Sequence, residues 1–218
     1  MVQRTTRKQR ILAGSLLLVG VYFSAVRDHW AERGDSHLHR SFLSTYVQRT
    51  HPGIHPVDRD RLVHIILTEA PRLQVENATI DGKEIDQTLF LTAVIETEST
   101  FKADAVSVAD ARGYMQLMPA TSRWMGQKFG LGVPVEKDLF RPEINLPRGV
   151  IFINHLMSEL GGDVRLVCLA YNAGLGNVQR GYFEERYWWK ILTSYRRLAS
   201  EAESNRWMTR EVSLVRDI

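Results

Sequence analysis

Cysteine is almost absent from this sequence, whose 218 residues contain one thiol, at Cys168. A single cysteine cannot close an intramolecular disulfide, and this one lies in an apolar, helix-like run where a buried, unreactive thiol is expected. Histidine is concentrated instead, because five of the seven histidines fall between residues 27 and 56. No cysteine or paired-carboxylate spacing accompanies them, so we expect solvated linker histidines. The sequence therefore gives no reason to expect a metal ion or another cofactor.

Net charge is nearly absent outside the first ten residues. The whole chain has 28 basic and 25 acidic residues, a formal net charge of +3. Four of the basic residues lie within residues 4–10 and are the only charges in the first 26 residues, which leaves 24 basic against 25 acidic residues elsewhere. A nearly neutral body lacks the basic surface that nucleic acids require. We therefore expect no nucleic-acid partner.

Residues 11–26 carry no charge and follow the basic residues directly. A basic segment followed by about sixteen apolar residues is typical of an export signal or a membrane anchor. The run is slightly shorter than the about 17 to 25 residues that usually span a bilayer. Phe23 stands where a cleavage site needs a small residue, so we favour an uncleaved signal anchor over a cleaved signal peptide, with a buried soluble helix as the third alternative. Either form of export places the rest of the chain outside the cytosol.

Strand-like alternation is also scarce, which predicts a mainly helical fold with one folded domain. Apolar residues at helical spacing, with caps and glycines at the ends, predict helices at about 86–98, 120–129, 143–160 and 164–173. A further helical face is expected in the tail, from Tyr187 onward. The predicted organisation is a basic cytoplasmic segment (1–10), a signal anchor or signal peptide (11–26), a stalk or linker (27–57), a helical lead-in (58–80), the main domain (81–200) and a C-terminal tail (201–218).

Glu98 lies at the end of an apolar helical stretch that begins near Leu89. Apolar surroundings disfavour the charged carboxylate, raise its pKa and keep a proton available at neutral pH. A Gly-Tyr-Met-Gln loop follows at residues 113–116, and we expect the carboxyl group to face it. One protonatable carboxyl group in this position is what an acid catalyst acting on sugar chains requires.

Three short clusters follow one another in the second half of the chain. They are Glu-Ser-Thr-Phe at 98–101, Gly-Tyr-Met-Gln-Leu-Met-Pro-Ala-Thr at 113–121 and Ala-Tyr-Asn-Ala-Gly at 170–174. In this order and at this spacing, they resemble the soluble lytic transglycosylases, lysozyme-like enzymes that cleave bacterial cell-wall glycan. The resemblance spans about 81–198 and also takes in Asn145 with Gly149. It implies a mainly α, lysozyme-like (α+β superfamily) domain at 81–200, preceded by the signal helix.

The resemblance implies a reaction that needs one carboxylate, although most glycosidases use two. The candidates for a second one are Glu96, Asp104 and Asp110, and Glu96 lies about 200° around the helix from Glu98. In the family, the single acid protonates the leaving oxygen, and the substrate's own N-acetyl group stabilises the positive centre. The same carboxylate then removes the proton of the C6 hydroxyl of muramic acid. The expected products therefore end in 1,6-anhydromuramic acid.

The same resemblance implies a set of substrate-binding residues around Glu98. Amide and hydroxyl groups suit the polar groups of sugars, and pliable or flat side chains suit pyranose rings; Tyr187 is expected to hydrogen-bond and orient Glu98. Core packing is the alternative for Met115 and Tyr171, a helix C-cap for Asn172 and an ordinary loop hydroxyl for Ser107. The predicted substrate-binding residues are Ser107, Met115, Gln116, Tyr171, Asn172 and Tyr187.

Two residues depart from the family pattern. Asp110 precedes the loop where the family has glycine, and an aspartate tolerates a left-handed backbone better than most residues. Tyr114 replaces a leucine, which would alter a sugar subsite.

The predicted activity is cleavage of the β-1,4 bond between N-acetylmuramic acid and N-acetylglucosamine, in the periplasm, by an enzyme anchored in the inner membrane through 11–26. The alternatives are a goose-type lysozyme that hydrolyses the same bond and a non-catalytic glycan-binding scaffold. Peptidoglycan strands are the expected partner, and subunits of an envelope-spanning machine are a possible one.

Overall fold

The computed structural model describes residues 39–75 and 77–216, with side chains to residue 205. The predicted basic segment (1–10) and signal segment (11–26) lie outside these residues. Within the described part of the chain, no helix has both the length and the apolar character needed to cross a membrane.

The described chain is mainly helical, as the scarcity of strand patterns predicts. Its one paired-strand unit is a short antiparallel hairpin, in which Thr79 pairs with Glu84 and Ile80 with Lys83. Two 3-10 turns interrupt the helices, and the first of them, Ala70–Arg72, contains the proline that ends the preceding helix. The elements are α1 (39–50), α2 (Pro56–Glu69), β1 (Thr79–Ile80), β2 (Lys83–Glu84), α3 (Gln87–Ser99), α4 (Pro119–Lys128), the second 3-10 turn (Glu136–Phe140), α5 (Pro142–Glu159), α6 (Val164–Ala173), α7 (Leu175–Gln179) and α8 (Arg186–Arg216).

Helix α3 lies at the centre of the core and carries Glu98 in its last turn. The Asp86 carboxylate caps its first turn by accepting a hydrogen bond from the Leu89 amide at 3.0 Å. Its side chains are buried on nearly all faces between residues 88 and 95. The helix ends because Thr100 and Phe101 adopt left-handed backbone angles, with φ of 50° and 62°. This sharp end fixes where the Glu98 side chain leaves the core.

Helix α1 corrects the predicted linker at 27–57, because residues 39–50 are helical and contribute to the core. Phe42, Leu43, Tyr46 and Val47 recur at the three- and four-residue spacing of one helix face, and all four are buried. The Tyr46 ring packs edge-on against Phe101, with 6.2 Å between ring centroids. The helix therefore belongs to the same folded unit as α3.

The long helix α8 packs against α3 and α6 and closes the other side of the core. The apolar face predicted for the tail is confirmed, since Ile191, Leu192, Tyr195 and Leu198 are buried. Cys168 is also buried, in α6, as its apolar neighbours predict. The first turn of α8 thereby brings Tyr187 to the end of α3.

Candidate active site

Glu98 is half-buried at the end of α3, and its carboxyl group meets the first turn of α8. Tyr187 Oη donates a hydrogen bond to Glu98 Oε1. Burial raises the pKa of Glu98 to about 7, although the hydrogen bond from Tyr187 and the positive charge of Lys190 lower it in part. A carboxyl group with this pKa exchanges its proton near neutral pH, which is the property that an acid-base catalyst needs.

Tyr187 is suited to hold Glu98 without exchanging protons with it. Burial, followed by the charge of Glu98, raises the pKa of Tyr187 well above its usual value, so the phenol stays a neutral donor. Among the described residues, Tyr187 is the only hydrogen-bond donor to the Glu98 carboxyl group. Oε2 of Glu98 accepts no hydrogen bond from the residues that the structure describes.

The Gly-Tyr-Met-Gln loop is held in place by Asn145 of α5. Its side-chain oxygen accepts a hydrogen bond from the Met115 amide at 2.7 Å, and its Nδ2 donates to the carbonyl oxygens of Arg112 and Leu139 at 3.0 and 2.8 Å. Gly113 has a φ of 74°, and a Cβ there would lie 2.2 Å from the Leu139 carbonyl oxygen. The loop thus needs glycine at 113 and a buried amide side chain at 145.

The side chain of Met115 points from the loop into the core and is not exposed on the loop surface. Its side chain is completely buried and packs so closely on α5 that a Cβ at Gly149 would lie 2.2 Å from the Met115 sulfur. Tyr171 Oη donates a hydrogen bond to the Met115 carbonyl oxygen at 2.7 Å. The prediction that Met115 offers an apolar surface to a sugar ring is therefore corrected, because its side chain fills the core. Tyr171 is half-buried and braces the same loop.

Gln116 is the last residue of the loop, Ser107 precedes the loop by six residues, and both keep part of their hydrogen-bonding capacity. Gln116 has a left-handed backbone, with a φ of 46°, and its Nε2 donates to the carbonyl oxygens of Ala105 and Gly113 at 3.1 and 3.0 Å. Ser107 Oγ accepts from the Ala111 amide at 3.0 Å. Among the described residues, neither the amide oxygen of Gln116 nor the hydroxyl proton of Ser107 has a hydrogen-bond partner.

Asn172 is exposed near the end of α6, and its side chain makes no hydrogen bond with the described residues. The helix-capping alternative is therefore not realised, and the amide is free to bind.

Asp110 adopts the expected left-handed backbone, with a φ of 69°. Tyr114, in contrast, is buried, so its ring faces the core and not a sugar subsite.

The carboxylates considered as partners of Glu98 are engaged elsewhere or exposed. Glu96 points away, as its helical position predicts, and accepts hydrogen bonds from Tyr46 Oη at 2.9 Å, from Arg197 Nη2 at 2.6 Å and from Ser194 Oγ. Asp110 pairs with the Arg112 guanidinium at 2.9 Å, and Asp104 is exposed.

Two residues that bear on the site were not predicted as members of it. Lys190 acts on Glu98 through its charge, and its position one helical turn after Tyr187 was the available signal. Asn145 holds the loop, and its match to the family pattern was the only sequence sign of that role.

Comparison with known proteins identifies the family. Residues 75–195 match the family described as Transglycosylase SLT domain, which covers more than half of the chain. The protein therefore belongs to the SLT transglycosylase family.

Curated relatives match over the same part of the chain. A putative soluble lytic murein transglycosylase from Haemophilus influenzae is 35% identical over 102 residues, covering 47% of this chain and 17% of that protein. The membrane-bound lytic murein transglycosylase C of Sodalis glossinidius is 38% identical over 111 residues, covering 47% of this chain and 31% of that protein. The chain thus spans less than a third of the length of these two relatives.

Solved structures of lytic transglycosylases also align with the chain. An inactive mutant of lytic transglycosylase Slt from Pseudomonas aeruginosa aligns with a TM-score of 0.46 and 25% identity, covering 62% of this chain and 22% of that one. The 70 kDa soluble lytic transglycosylase of Escherichia coli aligns with a TM-score of 0.45 and 20% identity, covering 77% and 30%.

Proposed function

We propose that this protein is a peptidoglycan lytic transglycosylase that cleaves the β-1,4 bond between N-acetylmuramic acid and N-acetylglucosamine. The observation that carries the proposal is the carboxyl group of Glu98, which is protonatable near neutral pH and held through one oxygen by Tyr187. Membership of the SLT transglycosylase family supports the same activity.

In the first step, Glu98 acts as the acid. Oε2 gives its proton to the glycosidic oxygen as the bond from that oxygen to C1 of muramic acid breaks. The substrate's N-acetyl group stabilises the positive charge at C1, so no second carboxylate from the protein is needed. Tyr187 acts as a positioning residue, because its hydrogen bond to Oε1 fixes the carboxyl group and leaves Oε2 for the substrate.

In the second step, Glu98 acts as the base. The carboxylate removes the proton of the C6 hydroxyl, the C6 oxygen bonds to C1, and a 1,6-anhydro ring closes. The carboxyl group is protonated again, and water is not consumed. Gln116, Ser107 and Asn172 supply the polar contacts that fix the sugar.

The cellular setting is part of the same proposal. Peptidoglycan lies outside the cytosol, so the enzyme works in the periplasm, with 11–26 as its signal anchor in the inner membrane. Partners from an envelope-spanning machine remain a prediction from the sequence.

The test is mass analysis of muropeptides released from purified sacculi. The wild-type protein should release fragments with anhydromuramic ends, whereas reducing ends would indicate a lysozyme-like hydrolase. Glu98→Gln keeps the shape of the side chain but has no acidic proton, and it should abolish release without unfolding the protein. Glu84→Gln, a change at an exposed glutamate of β2, is the matched control and should leave release unchanged. Binding of sacculi without any release of muropeptides would favour the scaffold alternative and refute the proposed lytic transglycosylase activity.

A further inference from the structure

A groove of about 480 Å³ opens between the last turn of α3 and the first turns of α8, on the side where Glu96 lies. Thr97 and Thr100 line it from α3. From α8, the lining includes Arg186, Trp189, Lys190 and Arg197. The groove is thus built from the two helices that supply Glu98 and Tyr187, but from other faces of them.

The groove carries an excess of positive charge. Three cations line it against one carboxylate, that of Glu96, which is already occupied by Arg197 at 2.6 Å. Arg186 reaches only Glu184, at 3.4 Å, and both side chains are nearly four-fifths exposed, so this pair is weak. Lys190 forms an ion pair with none of the acidic side chains that the structure describes. Two cations are therefore available to an anionic ligand.

The groove also begins beside Glu98 and Tyr187. Thr97 directly precedes Glu98, and Lys190 follows Tyr187 by three residues, which is about one helical turn. The charge of Lys190 reaches the Glu98 carboxyl group. A ligand in the groove would therefore be attached close to the bond that Glu98 cleaves.

We propose that this groove binds the carboxylates of the peptide attached to muramic acid, so that the enzyme favours peptide-bearing glycan. The inference rests on the proposed function, because it takes the substrate to be peptidoglycan. In that polymer the peptide is joined through the lactyl group of muramic acid, and its free carboxylates lie away from the sugar chain. Arg186 and Lys190 pair with these carboxylates, the threonine hydroxyls donate to peptide oxygens, and the ring of Trp189, which is 55% exposed, packs on the aliphatic part of the peptide.

The matched substrates for the test are synthetic glycan tetrasaccharides that carry the peptide either as free acids or as neutral carboxamides. Dissociation constants are measured by calorimetry on Glu98→Gln protein, which cannot consume the ligand. The free-acid form should bind more tightly. Arg186→Gln and Lys190→Gln should each weaken its binding by about two- to fivefold, the range for one exposed ion pair, and should leave the carboxamide form unchanged. Lys137→Gln, at an exposed lysine of the second 3-10 turn, should change neither.

Equal affinity for the two ligands, or equal losses on both, would overturn the groove assignment. The proposed function is tested separately, by turnover of both substrates with the enzyme that retains Glu98. The binding preference is measured without turnover, so it does not depend on that result. Since Lys190 also acts on Glu98, Lys190→Gln should shift the pH profile of turnover equally for both substrates, whereas Arg186→Gln should shift neither profile. A substrate-dependent pH shift would contradict the division of roles between these two cations.

Discussion

Glu98 should destabilise the folded protein at neutral pH, and replacing it with glutamine should reveal by how much. The pKa of Glu98 is raised from 4.5 to about 7 by burial. Between these two values the folded protein holds a proton that the unfolded chain has released, so stability falls as pH rises through this window. A rise from 4.5 to about 7 is 2.5 pKa units, and at about 1.4 kcal/mol per unit the loss is about 3 kcal/mol.

The Glu98→Gln variant lacks this titration and should show its advantage only at higher pH. Its gain in the free energy of unfolding, relative to the wild type, should grow by about 3 kcal/mol between pH 4.5 and pH 7 and then stay constant. Urea unfolding of both proteins at pH 4.5, 6 and 8 measures this, with Glu84→Gln as the control at an exposed glutamate. A difference between wild type and Glu98→Gln that does not change with pH would refute the reasoning. A difference that grows as pH falls would refute the sign.

Three further substitutions test the site. Tyr187→Phe removes a donor that lowers the pKa of Glu98, so the alkaline limb of the pH–rate profile should move up by about 1 to 2 units, from a charged hydrogen bond of about 1.5–3 kcal/mol; an unmoved limb would contradict the positioning role. Asn145→Ala removes three hydrogen bonds and should lower the free energy of unfolding by about 2–4 kcal/mol in urea, whereas a loss under about 1 kcal/mol would show that the loop holds itself. Gly149→Ala forces the buried Met115 to move, and should cost about 1–3 kcal/mol in the same assay together with much of the turnover; a stabilised variant would contradict the tight packing.

Local pattern was enough to predict helix α3, which carries Glu98. The cap at Asp86, the apolar run and the position of Glu98 are all set by neighbouring residues, and the structure has α3 at Gln87–Ser99, within about a residue of the predicted bounds. The left-handed backbone of Asp110 followed from side-chain chemistry in the same way. The sequence could therefore predict the helix that carries Glu98.

Features that depend on distant residues were not predicted. Met115 was expected to contact sugar, but Gly149, in a helix 34 positions later, leaves a space in the core that its side chain fills. Tyr114 was expected to alter a sugar subsite, but its side chain is buried in the hydrophobic core. Which side of a loop faces the core is decided by such partners, and no local periodicity reports it.

Helix α1 was missed because its polar neighbours concealed a short pattern. Its apolar face spans only two turns, at 42–47, and lies in a stretch rich in histidine and proline. Two turns are too few to separate a helix from chance spacing. This apolar face of α1 is buried in the folded protein because it packs against Phe101 and other core residues.

The contact between Tyr46 and Glu96 sets a limit on where the protein can be cut. The family match begins at residue 75, yet Tyr46 donates to a carboxylate two residues before Glu98. A fragment that starts at 75 would uncover the core beside Phe101 and leave Glu96, whose side chain is 10% exposed, with fewer donors. Expression of the folded unit should therefore begin before residue 39, because the family's own boundary excludes helix α1, which supports α3.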